Sequence, residues 1–110
     1  YNVEIQTSGT EHFKNRSLYY WSKLYSSQLE GGAKYIDLNP AICINILDFK
    51  LFNEIEYLHT CFLLREQHVP EYILTDHLII HFLEIPKLED VSIKTKLEKW
   101  LFYLKYEGQE

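Results

Sequence analysis

The sequence predicts an α/β domain in which helices pack on a mixed β-sheet. Three observations support this prediction: an alternating segment at residues 3–6, a long amphipathic stretch after it, and an apolar, β-branched run at residues 41–47. Strands and helices that alternate along a chain are typical of sheets covered by helices. With 110 residues, 46% of them hydrophobic, the chain can bury one core, so we treat residues 1–110 as a single domain.

The first strand and the first helix are adjacent in sequence. Val3-Glu4-Ile5-Gln6 alternates apolar and polar residues with period two, so its two polar side chains are expected on one side of a strand. A helix is expected over about residues 11 to 30, because apolar residues recur there at steps of three and four. Ser8 or Thr10 can cap its start, and Gly31-Gly32 supplies a left-handed stop.

The remaining segments predict a second strand, a hairpin and a last helix. Residues 41–47 show little alternation, which is typical of a strand covered on both faces. Residues 57–65 and 72–85 resemble strands and flank the breaker His68-Val69-Pro70, so a long antiparallel hairpin is expected. An amphipathic helix follows over about residues 92–107, beyond a core expected to end near residue 90.

Composition and charge limit the kinds of partner. No apolar run approaches the roughly 18 residues that a membrane span needs. The net charge of −5 argues at first sight against nucleic acid, but the excess acidic groups lie in residues 35–90 and leave both ends nearly balanced. Cys43 and Cys61 both lie in apolar strand-like runs, which favours two buried free thiols over a disulfide.

Glu4 and Gln6 are the candidate catalytic pair. A carboxylate and an amide two positions apart on one strand face can address a single divalent ion and its water. Glu4 and the backbone carbonyl of Ile5 would hold Mg²⁺ or Mn²⁺, while Gln6 positions the attacking water. Such a site suits phosphodiester hydrolysis, although Glu-x-Gln on a strand is by itself common and usually marks a solvated face.

Longer motifs elsewhere in the sequence support the catalytic interpretation of Glu4 and Gln6. Over about residues 3 to 88 the sequence resembles the recombination-promoting nuclease and transposase family of the PD-(D/E)XK superfamily. The segments that carry the resemblance are Val3-Glu4-Ile5-Gln6, Tyr19-Tyr20-Trp21-Ser22-Lys23-Leu24-Tyr25, Ile44-Asn45-Ile46-Leu47-Asp48-Phe49 and Phe82-Leu83-Glu84-Ile85-Pro86-Lys87.

The resemblance implies a restriction-endonuclease-like core and a divalent-metal-dependent DNA endonuclease associated with recombination or mobile elements. Members bind the metal through an Asp and through the Glu of an E-x-K or E-x-Q motif, which Glu4 and Gln6 match. The family's first acidic ligand lies on a strand before that motif. We therefore expect a core that lacks its N-terminal elements, and a chain that is inactive or nearly so on its own. The resemblance also implies a cytoplasmic, nucleoid-associated bacterial protein, and no small-molecule cofactor is expected.

Arg16, Tyr20 and Lys23 are candidate DNA contacts on the first helix. Arg16 and Tyr20 lie four residues apart, so they share one helix face. The alternatives are a surface charge with a packed stem for Arg16, a core aromatic for Tyr20 and a solvated Lys23. A homodimer is also expected, since a core without its N-terminal elements would expose sheet edge or core that association covers.

Two other functions compete with the nuclease. A catalytically dead DNA-binding or self-association module is favoured by the negative charge and the absent first carboxylate. A zinc site is suggested by His77 and His81, but in a strand they would lie about 13 Å apart, too far to share an ion with ligands near 2 Å. Asp48 either lines a cleft at the end of its strand or forms a turn.

Overall fold

A computed structural model describes residues 2–6, 11–32, 34–89 and 91–107. In these ranges four strands form one sheet: β1 (Asn2–Gln6), β2 (Ala41–Leu47), β3 (His59–Phe62) and β4 (Leu78–Glu84). The α-helices are α1 (Phe13–Ser26) and α2 (Val91–Glu107), and 3-10 turns lie at Ser27–Leu29, Tyr35–Asp37 and Ile85–Lys87. The predicted α/β class with a mixed sheet and helices is confirmed.

The strands lie in the order β1-β2-β4-β3. β1, β2 and β4 are parallel, and β3 is antiparallel to β4. The carboxyl ends of the three parallel strands therefore lie at one edge of the sheet. The predicted hairpin is confirmed in direction but is shorter than expected, because only β3 pairs continuously with β4 and a single bridge joins Arg65 to Ile73 farther along.

The core lies between α1 and one face of the sheet. Burial alternates strictly along β2 and β4, and the buried apolar side chains that pack together are Phe13, Cys43, Leu47, Phe52, Leu78, Ile80 and Phe82. On the opposite face of β2, Ile42, Ile44 and Ile46 are only half-buried. The expectation that β2 is covered on both faces was therefore wrong: one face is closed by α1 and the other is partly open to solvent.

The start of α1 differs from the expectation. The helix begins at Phe13, and its N-cap is His12, which has a left-handed φ of 62° and makes no capping hydrogen bond from its side chain. The expected caps, Ser8 and Thr10, lie outside the described residues. At the far end, Gly32 has a φ of 82°, which confirms the predicted left-handed stop.

The two cysteines have different environments. Cys43 is buried under α1, as predicted, whereas Cys61 is exposed. The prediction for Cys61 was wrong because its strand, β3, lies at the edge of the sheet and directs this side chain to the face that α1 does not cover. Both cysteines are free thiols.

A buried ion pair anchors the segment that follows β2. The carboxylate of Glu84, at the end of β4, accepts backbone hydrogen bonds from Leu51 at 2.6 Å and Phe52 at 2.9 Å. Its other oxygen lies 2.8 Å from the Nζ atom of Lys87, which also donates to the carbonyls of Phe52 and Ile55. Because both charges are fully hydrogen-bonded, the pair fixes this segment at the carboxyl edge of the sheet.

The last helix, α2, packs on the turn Ile85–Lys87. Leu101 is its buried side chain among those described, while Trp100, Phe102 and Tyr103 are largely exposed. None of the helices in the described ranges is long and apolar enough to cross a membrane.

Candidate active site on the first strand

Glu4 lies on the side of the sheet that faces α1. Its Cα partner on β2 is Asn45, which pairs in turn with Phe82 on β4, and both partners are buried beneath α1. The Glu4 side chain is half-buried. Asn2, two residues earlier on the same face, donates its Nδ2 hydrogen to the Glu4 carboxylate at 3.3 Å. The carboxylate is thus partly accessible to solvent and is hydrogen-bonded to a polar neighbour.

For Ile5 and Gln6, the two other predicted members of the site, the pairing of β1 with β2 gives the backbone position. Gln6 ends β1 opposite Leu47, and Ile5 pairs with Ile46. The side chain of Gln6 lies outside the described residues. Its cooperation with Glu4 around one ion, and the role of the Ile5 carbonyl, therefore stay predictions.

Asn45 and Cys43 are neighbours of Glu4 that the sequence did not assign to the site. Asn45 is 2% exposed and donates to the backbone carbonyl of His81 at 3.2 Å. Burial raises the pKa of the Cys43 thiol, and the negative charge of Glu4 raises it further. The available signal was Asn45 itself, a single polar residue inside an apolar run, since such a residue usually needs a specific partner.

The predicted DNA contacts lie on one flank of α1. Lys14 and Leu18 line an apolar cavity together with side chains of β3 and β4, so their flank faces those strands. Arg16, Tyr20 and Lys23 follow one another at steps of four and three on the opposite flank. That flank faces β1, because β1 adjoins β2 on the side away from β4. Helix and strand therefore bring these three residues to the side of the fold that carries Glu4.

Aromatic rings hold the basic groups on this flank. Arg16 donates from Nη2 to the hydroxyl of Tyr20 at 2.7 Å, and its guanidinium carbon lies 5.6 Å from the centre of that ring. Lys23 lies with Nζ 5.5 Å from the ring of Tyr19. Arg16 and Tyr20 are half-buried and Lys23 is exposed, so Tyr20 is not a fully buried core residue. Contact with DNA stays a prediction for all three.

The donors around Glu4 match a hard cation in kind. Carboxylate and carbonyl oxygens are the ligands that Mg²⁺ prefers, and Glu4 with the amides of Asn2 and Asn45 supplies such oxygens. Within the described ranges, however, no three side chains of His, Cys, Asp or Glu come together as a group that could hold a metal ion. The chemistry of the donors fits, but a single carboxylate carries too little charge for tight binding.

The other sequence candidates are two histidines and Asp48. His77 shares a hydrogen bond of 2.8 Å with the hydroxyl of Tyr25, whereas His81 lies 2.8 Å from a ring nitrogen of His59. The two histidines thus have different partners. Asp48 is half-buried in a bend directly after β2.

Comparison with known proteins gives one match. The sequence fits the family described as PD-(D/E)XK nuclease family transposase over residues 1–110. No curated protein and no solved structure matches it. The mixed sheet with the parallel unit β1-α1-β2 is consistent with a PD-(D/E)XK nuclease-like core. Since the match spans all residues of the sequence, the chain belongs to the PD-(D/E)XK nuclease family transposases.

Proposed function

We propose that this chain supplies the metal-binding strand and a DNA-contacting helix of a divalent-metal-dependent DNA endonuclease that serves recombination or a mobile element. One observation supports this above the others. The half-buried carboxylate of Glu4 lies on the sheet face that α1 covers, and the flank of α1 on the β1 side carries Arg16 and Lys23. A metal ligand and phosphate-binding groups are the parts that such an enzyme must hold together.

In this proposal each residue has a distinct role. Glu4 and the carbonyl of Ile5 would hold Mg²⁺ or Mn²⁺, which when bound polarises the scissile phosphate and activates water. The Gln6 amide orients the attacking water, but as a neutral group it adds no positive charge to the transition state. Arg16 binds a phosphate through its planar guanidinium, and Tyr20 holds that guanidinium in place. Lys23 adds a further phosphate contact.

The proposal also requires a second acidic ligand. The described residues hold no group of three His, Cys, Asp or Glu side chains that could bind a metal ion, and Mg²⁺ is usually bound through one or two carboxylates together with substrate phosphates. We therefore expect the second acid to come from outside these residues. The chain by itself should then be inactive or nearly so.

Plasmid nicking tests the role of Glu4. The protein as its gene encodes it is compared with its Glu4→Ala variant in Mg²⁺ or Mn²⁺. Loss of groups that merely support a metal ligand lowers activity about 10–100-fold, so loss of the ligand should lower nicking by at least about 100-fold. Glu30→Ala, which removes an exposed carboxylate beyond the far end of α1, should nick normally. Equal cutting with alanine at position 4 would show that the assignment is wrong.

Binding to duplex DNA tests the α1 flank. Arg16→Ala and Lys23→Ala should each weaken binding to DNA of any sequence, because phosphate contacts carry no base information. Each should also reduce the slope of log affinity against log salt by about one. Lys99→Ala, an exposed lysine of α2, should leave the slope unchanged. If Arg16 and Lys23 behave like Lys99, the flank does not contact DNA.

A second candidate function is a catalytically dead module that binds DNA or associates with itself. It is favoured by the net charge of −5 and by the lack, among the described residues, of a group of three acidic, His or Cys side chains that could hold a metal ion. The protein as its gene encodes it discriminates between the two: a dead module binds DNA but does not nick it in either metal. The expected homodimer is tested separately by light scattering, where a clean monomer would count against it.

A further inference from the structure

The outer edge of β3 presents backbone groups that no other described strand pairs with. In the order β1-β2-β4-β3, β3 is the last strand and pairs with β4. The backbone N–H of Glu84 donates to the carbonyl of Leu58 at 3.0 Å, so Leu58 directs its backbone groups toward β4. Inward and outward residues alternate along an antiparallel strand. The N–H and C=O groups of His59, Cys61 and Leu63 therefore point away from β4.

This edge lacks the residues that usually keep an edge strand from pairing with another chain. Natural edge strands are often protected by charged side chains or by proline. Residues 57–64 contain no Asp, Glu, Lys, Arg or Pro. By contrast, β1 at the opposite edge of the described sheet carries Glu4. The β3 edge is therefore the one that can accept a further strand.

The β3 strand is held in position, and apolar side chains beside it are exposed. His59 shares a hydrogen bond of 2.8 Å with His81 on β4, which adds a side-chain contact to the backbone ladder. Tyr57 before the strand, Phe62 at its end and Leu64 after it are all exposed. A partner strand would thus find a preformed edge and apolar surface to cover on both sides of it.

Opposite charges flank the uncharged stretch. Glu56 precedes it, Arg65 follows it, and both are exposed. The next residue, Glu66, accepts the backbone N–H of His68 within its own loop. If two copies of the strand run antiparallel, Glu56 of each copy approaches Arg65 of the partner subunit, whereas parallel copies would place like charges side by side. The pattern therefore fits an identical strand in the opposite direction, as in a twofold dimer.

We propose that the β3 edge is a homodimer interface, in which the β3 strands of two copies pair antiparallel about a twofold axis near Cys61. The inference assigns a surface to the homodimer and does not depend on nuclease activity. The two β1 strands, each with Glu4, then lie at the far ends of the shared sheet. Both candidate active sites stay accessible in such a dimer.

Sedimentation of the protein as its gene encodes it, in a dilution series with a reducing agent, tests the proposal. The protein should form a dimer that dissociates on dilution. Cys61→Lys should raise the dissociation constant at least about tenfold, because like charges then meet near the axis. Val3→Lys places the same charge at an exposed position of β1, at the opposite edge, and should dimerise normally. A monomer at every concentration, or a dimer that Cys61→Lys leaves unchanged, overturns the proposal.

Charge reversal tests the antiparallel direction. Glu56→Lys and Arg65→Glu should each weaken the dimer by about tenfold, because each creates two like-charged contacts across the axis. Combining the two substitutions should restore the wild-type dissociation constant. If the double variant dimerises no better than the single ones, the strands do not pair in this way.

Amide hydrogen exchange locates the interface. The amides of His59 and Leu63 should be protected in the dimer and should exchange faster on dilution or in Cys61→Lys. The amide of Thr60, which points toward β4, should be protected in both states. Protection of His59 and Leu63 that does not change with protein concentration would assign the edge to another segment of the same chain and would contradict the dimer.

Discussion

Glu84 and Lys87 are both buried, three residues apart at the end of β4. Each charge is hydrogen-bonded to its partner and to the backbone of the segment after β2. Removing one member of a buried ion pair leaves the other charge uncompensated, which typically costs about 3–5 kcal/mol. These two side chains therefore decide, at the scale of single residues, whether the carboxyl edge of the sheet keeps its shape.

Urea denaturation checks this role of the pair. Glu84→Ala should lower the free energy of unfolding by about 3–5 kcal/mol. The exposed Glu89→Ala should change it by no more than about 0.5 kcal/mol. A double variant, Glu84→Leu with Lys87→Met, should recover much of the loss, because apolar residues of similar volume often replace buried ion pairs well. Equal stability of Glu84→Ala and Glu89→Ala would show that the pair is dispensable.

At the scale of elements, α1 has two roles on different sides. Phe13 closes the core, with its ring centre 5.9 Å from that of Phe49 and 6.3 Å from that of Phe82. The flank on the β1 side carries Arg16, which is half-buried, and Lys23, which is exposed. Substitutions on the outer surface of this helix should therefore affect function with little effect on stability, while those facing the sheet should do the reverse.

Two apolar substitutions on α1 test this division. Phe13→Ala should cost about 3–5 kcal/mol of unfolding free energy, the usual range for a buried phenylalanine. Leu18 is 52% exposed, so Leu18→Ala should stay within about 0.5 kcal/mol. Thermal or urea unfolding measures both. A large loss for Leu18→Ala would mean that its flank is covered more fully than the structure shows.

At the scale of the whole molecule, the sheet and α1 form the main core, and α2 is an appendage on the turn after β4. The packed core residues all lie between positions 13 and 82, while α2 contributes Leu101 against the turn that contains Ile85. The sheet should therefore fold without the last helix.

Truncation after residue 90 tests this arrangement. It exposes Ile85 and removes Leu101 from its buried position, and each such side chain contributes about 1.5–3 kcal/mol. The truncated chain should lose about 3–6 kcal/mol but still unfold cooperatively in urea. Trp100→Ala, on the exposed side of α2, should have little effect. Loss of cooperativity on truncation would show that α2 belongs to the core.

Element types were predictable because they depend on local patterns. The apolar run at β2, the three- and four-residue steps of α1 and the left-handed Gly32 all derive from rules that act within one turn or one strand. The short β3 and the exposed Cys61 were not predictable in this way. An edge strand and a central strand can have similar sequences, and only their neighbours in the sheet determine which side chains meet solvent.

For the candidate site, too, local sequence predicted some features and the fold decided the others. The sequence by itself determined the family, the succession of strands and helices along the chain, and Glu4 as the candidate metal ligand. Each of these follows from short motifs of neighbouring residues. Only the tertiary structure decided that Asn45 lies beside Glu4, that His81 bonds to His59 and that Glu84 is buried with Lys87. The first two contacts join different strands, and strand order and register are set by packing of the whole sheet. The third pair is close in sequence, but its burial depends on the segment that folds over it.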